Sequence, residues 1–255
     1  MKFSIITPVL NSEDTIEDTI LSVLGQTYID IEYIIVDGQS TDRTIEIVNS
    51  FRERISAFIS EYDSGYAEAM NKGLELATGD VVGFLHSDDV YATDEIIAQV
   101  AKEFEEREID CLWGDLVYVS KKNPKRVLRY WRSCNYRDYL FNSGWMPPHP
   151  TFFAKRTVYE SYGYFDTNLQ ISADYEMMLR LLHRHKIPSY YLSTIMVKMR
   201  AGGLSNRSIK NLLHKSIEDY RAWRINDLKA SVPRLVAKNV SKIPQFFMRP
   251  DKLKL

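Results

Sequence analysis

The chain has 255 residues, a net charge of −1, 45% hydrophobic residues and 26% charged residues. That length suits one large domain burying roughly three quarters of its unfolded surface, so no disulfide or structural metal is needed to hold it. The near-zero charge argues against nucleic acid as a partner, no apolar run reaches the ~20 residues of a membrane span, and Cys111 and Cys134 lack metal-ligand spacing and fit free thiols in a reducing compartment.

Phe3 to Val9 reads as a buried strand, and the apolar run at this end is too short for a signal peptide, which makes a cytoplasmic location the expectation. Asn11 or Ser12 is placed to cap a helix with Ile16, Ile20, Val23 and Leu24 on one face and Gly25 at its end. Tyr33 to Val36 is a second strand. Ser40 or Thr41 opens a second helix with Ile45, Val48 and Phe51 inward, and Ile55 to Ser60 is a weaker third strand. A helix over Tyr66 to Ala77 leads to a fourth strand, Asp80 to Leu85. This alternation of apolar strands and helices predicts an α/β fold with a mostly parallel, doubly covered sheet.

Beyond residue 90 the pattern loosens. A helix is expected over about Thr93 to Arg107, strands over Cys111 to Val119 and Val127 to Trp131, and a proline-rich loop over Ser143 to Pro150. Thr151 to Phe153 resumes as a strand, Asp174 to His185 reads as a helix with Met177, Met178, Leu181 and Leu182 inward, and residues 208–226 form another.

The acids fall at strand ends. Asp37 closes the second strand, Asp63 follows the third, and Asp88 and Asp89 follow the fourth in His86-Ser87-Asp88-Asp89. In an open α/β sheet the carboxyl edge is where ligands bind, so these acids predict one polar crevice. Adjacent carboxylates repel and call for a cation or a proton, and their hard oxygens suit a divalent ion on a diphosphate. Thr7 and Pro8 line the same edge ahead of a helix N-terminus. No glycine-rich dinucleotide fingerprint or Walker loop is present.

The segments Ser4-Ile5-Ile6-Thr7-Pro8-Val9-Leu10-Asn11, Glu32 to Asp42, Asn71-Lys72-Gly73 and Phe84-Leu85-His86-Ser87-Asp88-Asp89 together resemble the family 2 glycosyltransferases of the GT-A fold. The resemblance is strong over residues 1–92 and continues to about 205, and within the family the chain is most similar to bacterial enzymes of surface polysaccharide assembly, the colanic acid type. It implies a GT-A, Rossmann-like sheet with a helical C-terminal appendage. The expected division is a glycosyltransferase domain over 1–227, with a nucleotide-sugar half over 1–92 and an acceptor half over 93–227, and a basic tail over 228–255.

Several roles follow from that resemblance. Asp37 and Asp63 would contact the nucleoside of a UDP- or GDP-sugar donor. Asp88 would bind Mn²⁺ or Mg²⁺ on the diphosphate, and Asp89 the metal or the sugar. His86 stands where the family usually has an acidic residue, either as a ligand better suited to Mn²⁺ or as a donor behind the ligands. Asp174 matches the catalytic base of a single displacement with inversion, with Ala173 in place of the usual preceding acid and Glu176 as its backup; an N-cap is the other local reading of Asp174. Asp115 and His149 would border the acceptor, a saccharide or lipid-linked saccharide, or serve as a turn acid and a structural histidine. Met199 to Ser205 resembles a mobile loop over the donor whose Arg200 meets diphosphate charge.

From Lys229 to Leu255 seven basic residues face one acid, Asp251, with Val232, Leu235, Val236, Ile243 and Phe246 interleaved. This segment is expected either to rest on an anionic membrane surface, making the protein peripheral on the cytoplasmic membrane, or to pack with a solvated basic face. The alternatives to glycosyl transfer are a sugar nucleotidyltransferase, which a first loop without Gly or Arg disfavours, and a non-catalytic nucleotide-sugar-binding module, which would not need Asp174.

Overall fold

The computed structural model describes residues 1–121, 123–202, 209–231, 245 and 248, and describes only the backbone at 209–213. The first part of the chain comprises β1 (Phe3–Val9), α1 (Ile16–Leu24), β2 (Ile31–Asp37), α2 (Thr44–Ser50), β3 (Ala57–Ser60), α3 (Tyr66–Leu76), β4 (Val81–Phe84) and β5 (Asp89–Tyr91). The second part comprises α4 (Ile96–Glu106), β6 (Cys111–Val119), β7 (Val127–Trp131), β8 (Phe153–Lys155), α5 (Arg156–Tyr162), α6 (Ala173–Met178), β9 (Ser189–Arg200) and α7 (Ile209–Ile225).

One sheet runs β3-β2-β1-β4-β8-β6-β9-β5, with β7 also paired to β6. The first four strands are parallel, as alternating strands and helices require. β8 then turns antiparallel to β4, and β6 pairs antiparallel with β7 and β8 but parallel with β9. Every residue of β1 is buried, because helices cover both faces. α1 contributes Ile16, Ile20 and Val23 at helical spacing to that core; truncating Ile20 to Ala would cost roughly 2–5 kcal/mol. α3 lies so close to β1 that a Cβ at Gly73 would overlap the Ile6 side chain. Asn71 on α3 clamps the Phe165 backbone, donating to its carbonyl and accepting from its N–H at 2.9 Å each.

The α/β fold matches the sequence, and the local differences have physical reasons. α1 starts at Ile16, after Thr15, rather than being capped by Asn11 or Ser12. Asn11 has a positive φ of 48° and accepts the Thr41 N–H instead. α2 starts at Thr44 because Ser40 is used to bind Asp37. The expected helix over 174–185 is α-helical only to Met178 and continues as a π-helix over Leu179–Arg184.

The largest miss is β9. Its twelve residues carry Tyr190, Tyr191, Thr194, Ile195 and Val197, a composition that suits a pleated surface. Met199 and Arg200, expected in a mobile loop, close this strand; 203–205 of that loop lie outside the described residues. Most of the basic tail also lies outside them, although Gln245 accepts a 2.8 Å hydrogen bond from Arg129 of β7. Among the described residues no helix is long and apolar enough to cross a membrane.

Candidate active site

The carboxyl ends of β1, β2, β3 and β4 form one edge, with Val9 beside Asp37 and Asp37 beside Ser60 in register. Asp37 is fully buried there. Its oxygens accept from the Ser40 N–H at 3.1 Å, the Ser40 hydroxyl at 2.5 Å and the Ser60 hydroxyl at 2.6 Å. Asp63 lies against Gly38, where a Cβ would come within 2.5 Å of its Oδ2. Burial raises the Asp63 carboxyl above its ordinary value against the lowering effect of the Gly65 N–H. Thr7 is buried with its hydroxyl 3.1 Å from that of Tyr33, and Pro8 is buried beside Val36.

β4 empties into His86, Ser87 and Asp88, all partly exposed. A 2.9 Å contact joins the Ser87 and Ser12 hydroxyls, tying this turn to the β1 end. Asp89 does not line the open edge. It is the first residue of β5 and fully buried, with the Arg200 backbone N–H and guanidinium the groups that offset its charge. Burial, with the Asp88 charge next, pushes its carboxyl well above the usual range.

The second part of the chain brings Asp174 to this edge. His149 sits in one 3-10 turn that Thr151 anchors, its hydroxyl donating to the Pro148 carbonyl at 2.7 Å and accepting the Gly114 N–H at 3.2 Å. From that turn His149 Nδ1 lies 3.0 Å from Asp174 Oδ2, and its Nε2 lies 3.2 Å from His86 Nε2. The rings meet edge to face, 5.1 Å between centroids. His149 therefore bridges the sheet-edge turn and the acid on α6.

Burial against Met70, Phe84, Phe152 and Met177 lowers His149 to about 4, despite the opposing Asp174 charge. Burial likewise lowers His86, against Asp88 and Asp174. Both rings are then neutral near pH 7. A neutral ring with Nδ1 facing a carboxylate carries its proton there, so His149 Nε2 accepts and His86 Nε2 donates. The Nδ1 lone pair of His86 is left for other use.

The structure gives four predicted site residues other surroundings. Asp115 is buried and its carboxylate accepts from the Tyr130 hydroxyl at 2.5 Å, the Ser133 N–H at 2.6 Å and the Tyr191 hydroxyl at 2.9 Å. It knits β6, β7 and β9 together rather than facing an acceptor. Glu176 is buried on Arg180, at 3.0 and 3.1 Å, and on Asn226 at 3.0 Å, so it is no backup base. Arg200 is buried, paired with Asp18 and donating to the Asp88 carbonyl at 3.3 Å. It steadies the acidic turn from behind. Asp89, as above, lies beneath the edge.

Sequence reasoning also missed residues that hold Asp174. The Tyr66 hydroxyl accepts the Ala173 N–H at 3.0 Å, and buried Glu218 accepts the backbone N–H groups just before α6. Both partners are remote in sequence, and no local pattern announces them.

Residues 4–166 match the sequence model of glycosyl transferase family 2. A PGL/p-HBAD biosynthesis glycosyltransferase of Mycobacterium bovis is 29% identical over 209 residues, covering 80% of this chain and 79% of its own. TuaG of Bacillus subtilis, assigned to teichuronic acid biosynthesis, is 46% identical over 100 residues, covering 38% of this chain and 40% of its own. Among solved structures, S. aureus TarS 1-349 with UDP-GlcNAc superposes with a TM-score of 0.68 at 19% identity, over 97% of this chain and 73% of that one. The Pyrobaculum calidifontis mannosyltransferase PcManGT, with GDP-Man and Mn²⁺, gives 0.67 at 18% identity over 96% and 73%. At those identities the superpositions speak for the fold.

Proposed function

We propose, from the premise that the chain belongs to glycosyl transferase family 2, that this glycosyltransferase moves a sugar with inversion from a UDP- or GDP-sugar to an acceptor hydroxyl in surface polysaccharide assembly. The observation that carries the mechanism is the convergence of Asp174, His149 and His86 beside Asp88. Asp174 takes the acceptor's hydroxyl proton on a carboxylate oxygen as the acceptor oxygen attacks the anomeric carbon. The bond from that carbon to the diphosphate breaks on the opposite face, and the electron pair leaves with the diphosphate. His149 orients the base through Nδ1, and the apolar wall around it keeps water from competing. Asp37 and Asp63 line the nucleoside side of the edge, with Thr7 and Pro8 beneath.

A divalent ion fits this edge through Asp88, which is partly exposed there, whereas Asp89 is buried beneath it. Among the described residues no three His, Cys, Asp or Glu side chains form a metal-holding group, so an ion there needs oxygens from the diphosphate as well. Asp88 would hold Mn²⁺ or Mg²⁺, whose charge would offset that of the departing diphosphate when bound. The acceptor in this reading is a saccharide, free or lipid-linked, met at the inner face of the cytoplasmic membrane.

A panel of UDP- and GDP-sugars with and without Mn²⁺, read as melting temperature and as nucleoside diphosphate release, tests the reading. A metal-dependent rise with one nucleotide class, and release from it, is expected. Binding without the metal, or no response to either class, would overturn it.

A further inference from the structure

The base sits in the first turn of α6, a helix of six residues, and something must fix that turn. The N-cap residue, Ser172, makes no side-chain cap; its hydroxyl points away, to the Lys215 carbonyl at 3.4 Å. The N–H groups leading into the helix are collected by α7 instead. Glu218 accepts from Gln170 N at 2.9 Å on one oxygen and from Ile171 N at 2.8 Å and Ser172 N at 2.9 Å on the other. Its side chain is 1% exposed, and His214, one turn earlier, lies 3.2 Å from the first oxygen. A charged acceptor shared by three backbone donors is among the stronger arrangements available to a loop. Behind it, Trp223 of α7 donates to the Tyr175 hydroxyl at 2.9 Å, and Asn226 donates to Glu176. From the opposite side Tyr66 accepts the next N–H, that of Ala173. Asp174 is the residue after that.

We infer that Glu218 is a positioning residue for the reaction: α7 sets the orientation of the Asp174 carboxylate by gripping residues 170–172, leaving the donor edge untouched. The inference rests on Asp174 as the base. Both carboxylate oxygens are needed. In Glu218→Gln one oxygen becomes an NH₂ that confronts N–H donors, so the turn must shift, and displacement of a reacting group by an ångström costs about 100-fold in rate. Glu218→Asp keeps both oxygens but withdraws them by one methylene.

The test measures nucleoside diphosphate release from UDP-N-acetylglucosamine or GDP-mannose, whichever the protein turns over, together with amide hydrogen exchange over residues 170–175. The expected order of kcat is wild type, Glu218→Asp, Glu218→Gln, with the last down about 10- to 100-fold and donor KM within about twofold. Exchange at 170–173 should quicken about tenfold in Glu218→Gln. A folded Glu218→Gln with wild-type kcat and unchanged exchange sinks the inference. So does a loss of donor affinity that matches the loss of kcat, which would mark a purely structural role. If Glu218→Gln does not fold, Glu218→Asp decides alone: a lower kcat at constant donor KM supports the grip, and wild-type kcat ends it. Asp174→Asn run in parallel separates the two ideas. Full turnover in that variant removes Asp174 as the base, whereas an inactive Asp174→Asn beside a fully active Glu218→Gln removes only the role of Glu218.

Discussion

The two edges of the crevice are built by different means. At the nucleoside end of the donor side the acids are held by near neighbours, Asp37 by Ser40 three residues on and by Ser60 on the adjoining strand and Asp63 by Gly65, while the Asp88 turn leans on Arg200 of β9. On the acceptor side Asp174 is held by parts far apart in the chain, His149, Tyr66 and, through the preceding turn, Glu218. A parallel strand-and-helix unit delivers its acids to the carboxyl edge by topology alone. A site reached through antiparallel returns needs long-range hydrogen bonds to bring its groups to the same place. The nucleoside end of the donor edge is therefore a property of local sequence, and the acceptor edge a property of the assembled fold.

Substitutions on the two sides should fail differently, and Asp174, the proposed base, gives the largest effect. Asp174→Asn is expected to lower turnover about 10²- to 10⁴-fold with nucleotide binding intact, whereas Asp88→Asn should abolish the Mn²⁺-dependent part of the nucleotide-induced rise in melting temperature. Equal loss of binding in both variants would mean that the edges are not separable. Next in size is Glu176→Ala, which strands Arg180 in the interior. Arg180 retains the Tyr162 and Tyr164 carbonyls, so a loss of about 3 kcal/mol is expected, at the low end for breaking a buried pair. Denaturant unfolding of this variant, set against Glu176→Leu/Arg180→Met, checks it: the double variant should recover most of the loss, and failure to do so would mean that the pair does more than neutralise a buried charge.

That asymmetry also explains what could be read in the chain beforehand. The strands ending at Val9, Asp37, Ser60 and Phe84 are legible because apolar runs stop at acids or glycines within a few residues. Asp174 was legible only through family resemblance, and His149 only as a candidate. Their 3.0 Å meeting was not, since nothing local links positions 149 and 174. Asp115 and Glu176 misled for the converse reason. An acid after a strand or in a first helical turn looks the same in sequence whether it faces solvent or, as here, a set of buried donors. β9 was missed because tyrosines and threonine separated its apolar residues and its end resembled a loop.

The donor half should also carry a distinct acid sensitivity. At the opposite end of β2 from Asp37, burial pushes the Glu32 carboxyl up, but hydrogen bonds from Lys2, Ser4 and Thr78 outweigh it and hold the pKa at about 2. A folded pKa below the unfolded value of 4.5 adds stability that is full above pH 4.5 and lost as pH falls toward 2. Wild type should therefore lose more melting temperature than Glu32→Gln between pH 5 and 2.5. Parallel curves would show that these bonds do not distinguish the charged from the neutral carboxyl.

The smallest expected effect sharpens the comparison most, because it moves one donor-side acid without touching its charge. Gly38→Ala places a methyl 2.5 Å from Asp63 Oδ2, too close for any non-bonded contact. Either the Asp63 side chain rotates away or the turn after β2 shifts, and overpacking of this kind costs roughly 1–3 kcal/mol. The Gly65 N–H that bonds Asp63 at 3.0 Å resists the rotation. If Asp63 serves the nucleoside, nucleotide binding should weaken while residual turnover at saturating donor stays near wild type, the reverse of the Asp174 and Glu218 variants. A drop in saturated turnover instead would mean that a displacement at the end of β2 reaches α6. The nucleoside end of the donor edge would then no longer be local in its effects, even though it is local in its construction.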